Sequence, residues 1–359
     1  MSVLLADGFK QYTGVDEMKS KLARVANQAD PIMVPAVPFG KYAVSPRTSS
    51  SAVYHYGAFR FHRPGGNALE VCASVDAKFG EPGGNGSAKF SFAVSPSSWD
   101  AFNITPTGTI GAAAIVGAVM VEIDNLVPTV YHSVVTSVNT ATGAPTANKQ
   151  ALGVFPTLVS GNSYTIEIRA RVTSATTGEA TVRINGEEMT FAFNPSRVSA
   201  AAGLEQTSGF GIVMLGSGSS TSASVYISVS DVVIYSNDAD TPWPLGAVDI
   251  TYLAADDPDL AVGPANDLTY ETISSEVAYQ IADPAVGADI VGGVAYARIA
   301  AVGGSVATRA QIELVNGGQT VTIADQVINP GYVSTIKSVP VSKEMIGAGS
   351  VFRARSVTP

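Results

Sequence analysis

Glu122 and Asp124, in Val121-Glu122-Ile123-Asp124-Asn125, are the first residues here whose types and spacing could do chemistry. Residues two apart on a strand project from one face. Two carboxylates across one cleft are what acid–base cleavage of a glycosidic bond requires. A second cluster, Ser97-Ser98-Trp99-Asp100-Ala101-Phe102-Asn103, joins an aromatic ring to short polar groups. Saccharide sites use that chemistry, the ring stacking on a sugar face while polar groups fix its orientation. Trp99, Asp100 and Asn103 are therefore the expected carbohydrate-binding residues, set against the plainer reading of Trp99 packing at a sheet edge. Trp243, between Pro242 and Pro244, is expected to plug a joint in the chain.

The remaining chemistry-bearing residues point to neither a metal nor a cofactor. His55, His62 and His132 lack metal-ligand spacing, and the odd offset between the first two puts them on opposite faces of one strand. Asp256, Asp257 and Asp259 cluster hard oxygens that suit calcium, but their loop lacks the Gly and distal Glu of an EF-hand. The expectation there is a solvated acidic face. Cys72, in Ala68-Leu69-Glu70-Val71-Cys72, is the single cysteine, so no internal disulfide is possible and a buried structural thiol is expected. No G-x-S-x-G elbow is present, and the Gly-rich loop Pro82–Gly86 reads as a hairpin connection.

Composition narrows the class further. The chain has 359 residues, a 46% hydrophobic share, 14% charged residues, 35 Gly and 20 Pro. That length leaves room for about two domains, each with its own core. Its net charge of −9 shows no clustered basic footprint, which argues against nucleic-acid binding. Nine acidic residues and no Lys or Arg lie between Ala247 and Ala297. The opening MSVLLADGFK lacks a basic segment followed by a long apolar one, and the run from Ile110 is too short and Gly-broken to cross a membrane. A soluble protein made in a cytoplasm, without membrane insertion, is expected.

The elements that must position these residues are almost all strands. One short helix is expected after Thr13, where Thr13 and Asp16 resemble a capping box and Met18, Leu22 and Val25 share a face. Beyond Asp30-Pro31 the pattern is strand and turn. Alternating runs include Tyr54–Phe61, Ala68–Val75, Ala88–Val94, Gly117–Ile123, Val130–Val138, Ser163–Val172, Glu179–Ile184, Met189–Phe193, Gly209–Leu215 and Ser224–Tyr235. Asn185-Gly186 is the strongest hairpin signal, because a type I′ turn needs positive φ at both positions. Turn residues from Asn237 to Gly246 then break strand pairing, and a strand is expected to restart at Ala247. That strand is the first of seven expected after the joint, with a hairpin at Asn316-Gly317-Gly318.

Three segments carry a resemblance to a family of tailed-bacteriophage virion proteins, usually associated with the tail or fibre. The opening Leu4–Thr13 is similar to that family's D-G-F-x-x-Y start. The run from Tyr164 to Met189 resembles its lectin-like strand pair ending in an Asn-Gly turn. Asp231, Ile234, Tyr235, Leu245, Gly246 and Val248 match its domain exit, with Ser230-Asp231 where a pair of Asp is usual.

The resemblance implies an all-β chain: a concanavalin A-like (laminin-G-like) jelly-roll sandwich over residues 1–243 with one short helix, then a smaller C-terminal β-sandwich over 244–359. It implies a virion structural protein, a homo-oligomer (trimer favoured) assembled with other virion proteins, and a possible host surface glycan as ligand. A host-glycan adhesin and a capsid decoration or head-fibre protein are the alternatives. Concanavalin-like glycosidases carry E-x-D-x-x-E on one strand; Val127 stands where the last carboxylate belongs. The expectation is accordingly not an enzyme, with Glu122 on an exposed strand face.

Overall fold

The computed structural model describes residues 3–8, 24–26, 33–36, 43–46, 54–62, 69–79, 87–95, 119–138, 145–174, 177–194, 207–217, 227–239, 241–248, 250, 276–281, 289–297, 308–329 and 337–357. Its strands begin with β1 (Val3–Asp7), β2 (Arg24–Ala26), β3 (Met33–Ala36), β4 (Ala43–Pro46), β5 (Tyr54–His62), β6 (Leu69–Phe79) and β7 (Ser87–Ser95). They continue with β8 (Val119–Asp124), β9 (Val127–Val138), β10 (Pro145–Val154), β11 (Ser163–Val172), β12 (Gly178–Ile184), β13 (Glu187–Phe193), β14 (Thr207–Ser217) and β15 (Ile227–Tyr235). The last six are β16 (Glu276–Gln280), β17 (Gly293–Ala297), β18 (Thr308–Asn316), β19 (Gln319–Ile328), β20 (Lys337–Val341) and β21 (Val351–Val357).

The first fifteen strands form two antiparallel sheets. One runs β13-β12-β11-β6-β15-β4-β3, with β1 joining β15, and has eight strands; the other runs β10-β9-β8-β7-β14-β5-β2 and has seven. Hydrophobic alternation explains why they stack. Val71, Ala73, Val75, Ala77 and Phe79 of β6 point one way, with Ile166, Ile168 and Ala170 of β11 and Ala180, Val182 and Ile184 of β12. They meet Phe92, Val94, Val119, Val121, Ile123 and Val130 from the facing sheet. Because the side-chain period is two, burying that set sends every intervening residue to an outer face. The chain crosses between sheets after β1, β2, β4, β5, β6, β10, β13 and β14, and such crossing between two stacked sheets is what a jelly-roll sandwich requires.

The smaller C-terminal sandwich pairs a sheet ordered β16-β21-β18-β19 with the two-stranded β17-β20. Ile281, Ala295, Leu314, Ile323, Val341 and Met345 fill the space between them. Its outer face carries cross-strand ion pairs: Arg309–Asp325 at 2.6 Å, Arg353–Glu313 at 2.6 Å and Arg355–Glu276 at 2.8 Å.

The turns expected at Asn185-Gly186 and Asn316-Gly317-Gly318 are there, while the Pro82–Gly86 connection lies outside the described residues. Asn185 and Gly186 have φ of 46° and 93°, and Gly317 and Gly318 have φ of 54° and 81°. Other expectations change. Only the end of the helix expected after Thr13 is described, and there Arg24–Ala26 is β2, paired with β5. Ladder pairing has overridden local helical periodicity at Val25. Residues 247, 248 and 250, expected in a strand, are not in one. Backbone groups of this segment bond side chains on a sheet face instead. β10 shows no alternation strong enough to predict it, and among the described residues six strands follow the joint where seven are expected.

The side of the sandwich between β12, β13 and β9 is closed tightly. A Cβ added at buried Gly178 would lie 2.5 Å from the Phe193 ring, which itself stacks on His132 with centroids 4.4 Å apart. Phe193 is buried, so it has little room to retreat. Gly178→Ala is expected to destabilise the fold by about 1–3 kcal/mol, read as a lower midpoint in chemical denaturation. An unchanged midpoint would show that the ring yields freely.

Candidate functional site

The outward face of the seven-stranded sheet brings polar chemistry together in register rows. One row runs Tyr56, Val213, Ser91, Glu122, Thr129 and Val154 across β5, β14, β7, β8, β9 and β10. The next runs Arg24, Ala58, Gly211, Ala93, Met120, Tyr131 and Ala151. A third aligns Tyr54, Leu215, Lys89, Asp124 and Val127. Val121 and Ile123, the intervening positions of β8, lie in the inter-sheet core. Glu122 and Asp124 therefore share the other face, as the sequence spacing implied.

Two features of this face were not legible. Glu122 is only 3% exposed and Met120 only 4%, although both point away from the core, so the expectation of an exposed strand face fails at Glu122. The E-x-D-x-x-E template also fails geometrically. Asn125 and Leu126 have φ of 50° and 66°, so the chain reverses there and Val127 opens β9 opposite Asp124. Asp124 accepts a hydrogen bond from the Asn125 Nδ2 amide at 3.1 Å. Tyr131 and Thr129, half-buried on the same face, were missed by the sequence reading. Their signal was their alternation with Pro128, Val130 and His132.

His132 points the other way, into the closed side of the sandwich. It is fully buried, with Nε2 3.1 Å from the Asn194 carbonyl. His55 and His62 both lie on β5. Trp99, Asp100 and Asn103 lie outside the described residues, as do Asp256, Asp257 and Asp259. Among the described residues, no group of three or more His, Cys, Asp or Glu side chains could hold a metal ion. No described helix is long and apolar enough to cross a membrane.

The outer face of the eight-stranded sheet is the second polar surface. Arg169 donates to Glu70 at 2.7 Å, Arg171 Nε lies 3.7 Å from the same carboxylate, and Thr165 donates to Asp76 at 2.7 Å. At its β12–β13 edge, Arg171, Thr173, Thr177, Glu179 and Thr190 surround a shallow cleft of about 270 Å³. Nearer the centre, Cys72 and Tyr235 are fully buried beneath the joint that follows β15. Burial raises both their pKa values well above the usual range, with nearby carboxylates adding to it. Trp243 packs against that cluster with Leu245, Val248 and Ile250, which places it as the plug the sequence implied.

No protein-family model matches the chain, and no curated protein matches it in sequence. Solved structures do match. A PL-14 alginate lyase from Aplysia kurodai is 13% identical, with a TM-score of 0.44, over 65% of this chain and 99% of that one. An endo-β-1,4-glucuronan lyase from Trichoderma reesei is 10% identical, with a TM-score of 0.38, over 65% and 95%. The carbohydrate esterase of the Shiga toxin-encoding bacteriophage phi24B is 13% identical, with a TM-score of 0.34, over 66% and 99%.

These neighbours are carbohydrate-active proteins of jelly-roll fold, and at such identities the likeness concerns fold alone. They nevertheless correct one expectation. The chain was read as not an enzyme because the carboxylate template was incomplete, yet the folds it matches belong to lyases and an esterase. An incomplete glycosidase template excludes only that one chemistry.

Cys72 gives this description a direct check. A thiol with a strongly raised pKa holds almost no thiolate at neutral pH, and thiolate is the reactive form. Iodoacetamide is expected to leave Cys72 unmodified in the folded protein and to alkylate it after denaturation, as read by intact mass.

Proposed function

We propose that the chain is a glycan-engaging component of a tailed-phage virion, binding a polysaccharide on the outward face of its seven-stranded sheet. The observation that carries this reading is the placing of half-buried Tyr131, Thr129 and Asp124 in three adjoining rows of that face, around the buried Glu122. A half-buried aromatic ring beside carboxylates and a hydroxyl has the composition of a saccharide site. The same rows contain Tyr54, Tyr56, Arg24 and Lys89 by register, so aromatic and cationic residue types continue across the sheet. The sequence resemblance to tail- and fibre-associated proteins supports the virion setting. Other virion proteins and further copies of the chain, most simply a trimer, are the partners under this reading.

Glycan-array and calorimetric binding to bacterial surface polysaccharides tests it. Wild type is expected to bind, and Tyr131→Ala to weaken binding by about tenfold, as loss of a stacking ring in a desolvated contact would. Size-exclusion analysis of the same polysaccharide after incubation reads whether the face also cuts what it binds. Equal binding by wild type and Tyr131→Ala would sink the assignment of this face. Antibody labelling of particles tests the virion setting separately.

A further inference from the structure

The described residues between Asn237 and Ile250 are in neither helix nor strand, yet they are held across the outer face of the eight-stranded sheet by side chains from three strands, β6, β11 and β15. The Gly246 N–H donates to Glu167 Oε1 of β11 at 2.8 Å, and the Ser74 hydroxyl of β6 donates to the Gly246 carbonyl at 3.4 Å. The Leu245 N–H donates to the Tyr235 hydroxyl of β15 at 3.3 Å. The Ile250 N–H donates to Asp231 at 3.3 Å, and Asn237 Nδ2 donates to Glu70 at 3.1 Å. Around these bonds, Trp243, Leu245, Val248 and Ile250 cover Cys72, Val233 and Tyr235. The turn needs its glycine, since Gly246 has φ of 77°.

The same patch continues into the C-terminal sandwich. Val294 of β17 joins the cluster through Val3 of β1, the Tyr296 hydroxyl donates to the Ala6 carbonyl, and a Cβ at Gly292 would press on Val3 at 3.0 Å. One contiguous surface thus binds both the connecting segment and the unit beyond it.

We propose that the Leu245–Gly246 turn and its socket form a latch that fixes the C-terminal sandwich against the jelly roll, with Glu167 as the group that closes it. Glu167 is the carboxylate of the socket most deeply withdrawn from water, 3% exposed at its side chain. A buried carboxylate is tolerable only when hydrogen-bonded and balanced in charge. The Gly246 N–H supplies the bond, and Arg183 Nη1 of β12, 3.6 Å from Oε2, supplies the charge. Opening the turn would strip that donor from a group still half-enclosed by the sheet. The latch and the carboxylate therefore stabilise one another.

The arrangement responds to pH in a defined direction. Burial raises the Glu167 pKa, opposed by the Gly246 and Leu245 amides and by Arg183, and Glu188 of β13 raises it further. Cys72 and Tyr235 stay protonated throughout. The folded chain thus binds a proton at Glu167 more tightly than the unfolded chain, in which the group returns toward 4.5. Its extra stability is complete below that value and is lost as pH rises through the raised pKa.

Thermolysin cleavage within the joint and hydrogen exchange of the Leu245 and Gly246 amides read the latch in the full-length chain. Glu167→Ala is expected to speed both by about tenfold or more, since a charge-assisted bond is lost and cleavage follows the open population. Gly246→Ala and Tyr235→Phe act on the turn while keeping the Glu167 carboxylate, and they keep the test available if Glu167→Ala does not fold. In wild type, the midpoint of chemical denaturation should rise as pH falls toward 4.5. Glu167→Gln should flatten that profile. Unchanged cleavage and exchange in the foldable variants would overturn the latch, and identical pH profiles for wild type and Glu167→Gln would overturn the role given to Glu167. None of these readouts depends on glycan binding.

Discussion

The packing of one apolar face against another governs everything else in this chain. Ile166, Ile168 and Ala170 of β11, flanked by the β6 and β12 sets, bury their side chains against Phe92, Val121 and Ile123. Apolar burial of this kind is the dominant favourable term in folding. On a strand it has a geometric consequence: whatever is not in the core must stand on an outer face. The two polar surfaces are products of that rule. Glu167, Arg169 and Arg171 face outward because Ile166, Ile168 and Ala170 face inward, and Glu122 and Asp124 face outward because Val121 and Ile123 do not.

The two outer faces meet different fates. On the eight-stranded sheet, the central rows carry Cys72, Val233 and Tyr235, which are apolar enough to demand a cover. The joint supplies it, and buried polar groups in the cover's path become its fastening points. Glu167 and Ser74 sit directly opposite each other in the β11–β6 register, so one turn can reach both. Toward the β13 edge the surface becomes a lattice of ion pairs and threonines, which water can solvate, and no cover is called for.

The strands with strict alternation were legible because period two survives any tertiary context that buries one face. The Asn185-Gly186 and Gly317-Gly318 hairpins were legible because positive φ demands those residues. The Asn125–Leu126 reversal was not, because leucine rarely adopts φ of 66° and nothing local announces it. Turn chemistry places the end of strand pairing in the joint, but the alternation beyond it implies a strand at Val248 that the fold does not form. Alternation alone cannot distinguish backbone bonded to a neighbouring strand from backbone bonded to Glu167, Tyr235 and Asp231, residues distant in sequence. The same limit applied to the candidate site. Glu122 and Asp124 were placed on one face by spacing, while Tyr131 and the burial of Glu122 depended on pairings that only the folded sheet specifies.

The inference of chemistry from a missing residue failed for a related reason. Reading Val127 as a vacated catalytic position presumes that residues 122–127 share one strand. They do not: the chain turns after Asp124, and Val127 sits across the ladder from it. A template written for one strand says nothing about a face assembled from several strands, where the groups meeting a ligand come from separate stretches of sequence. The chemistry of this sheet must be argued from its rows. There, Glu122 lies beside Thr129, with Tyr131 and Asp124 in the adjoining rows on either side of it. The latch occupies the opposite sheet of the sandwich. A ligand bound across the rows and the unit held by the latch therefore sit on opposite sides of one core, and neither need be displaced for the other to engage.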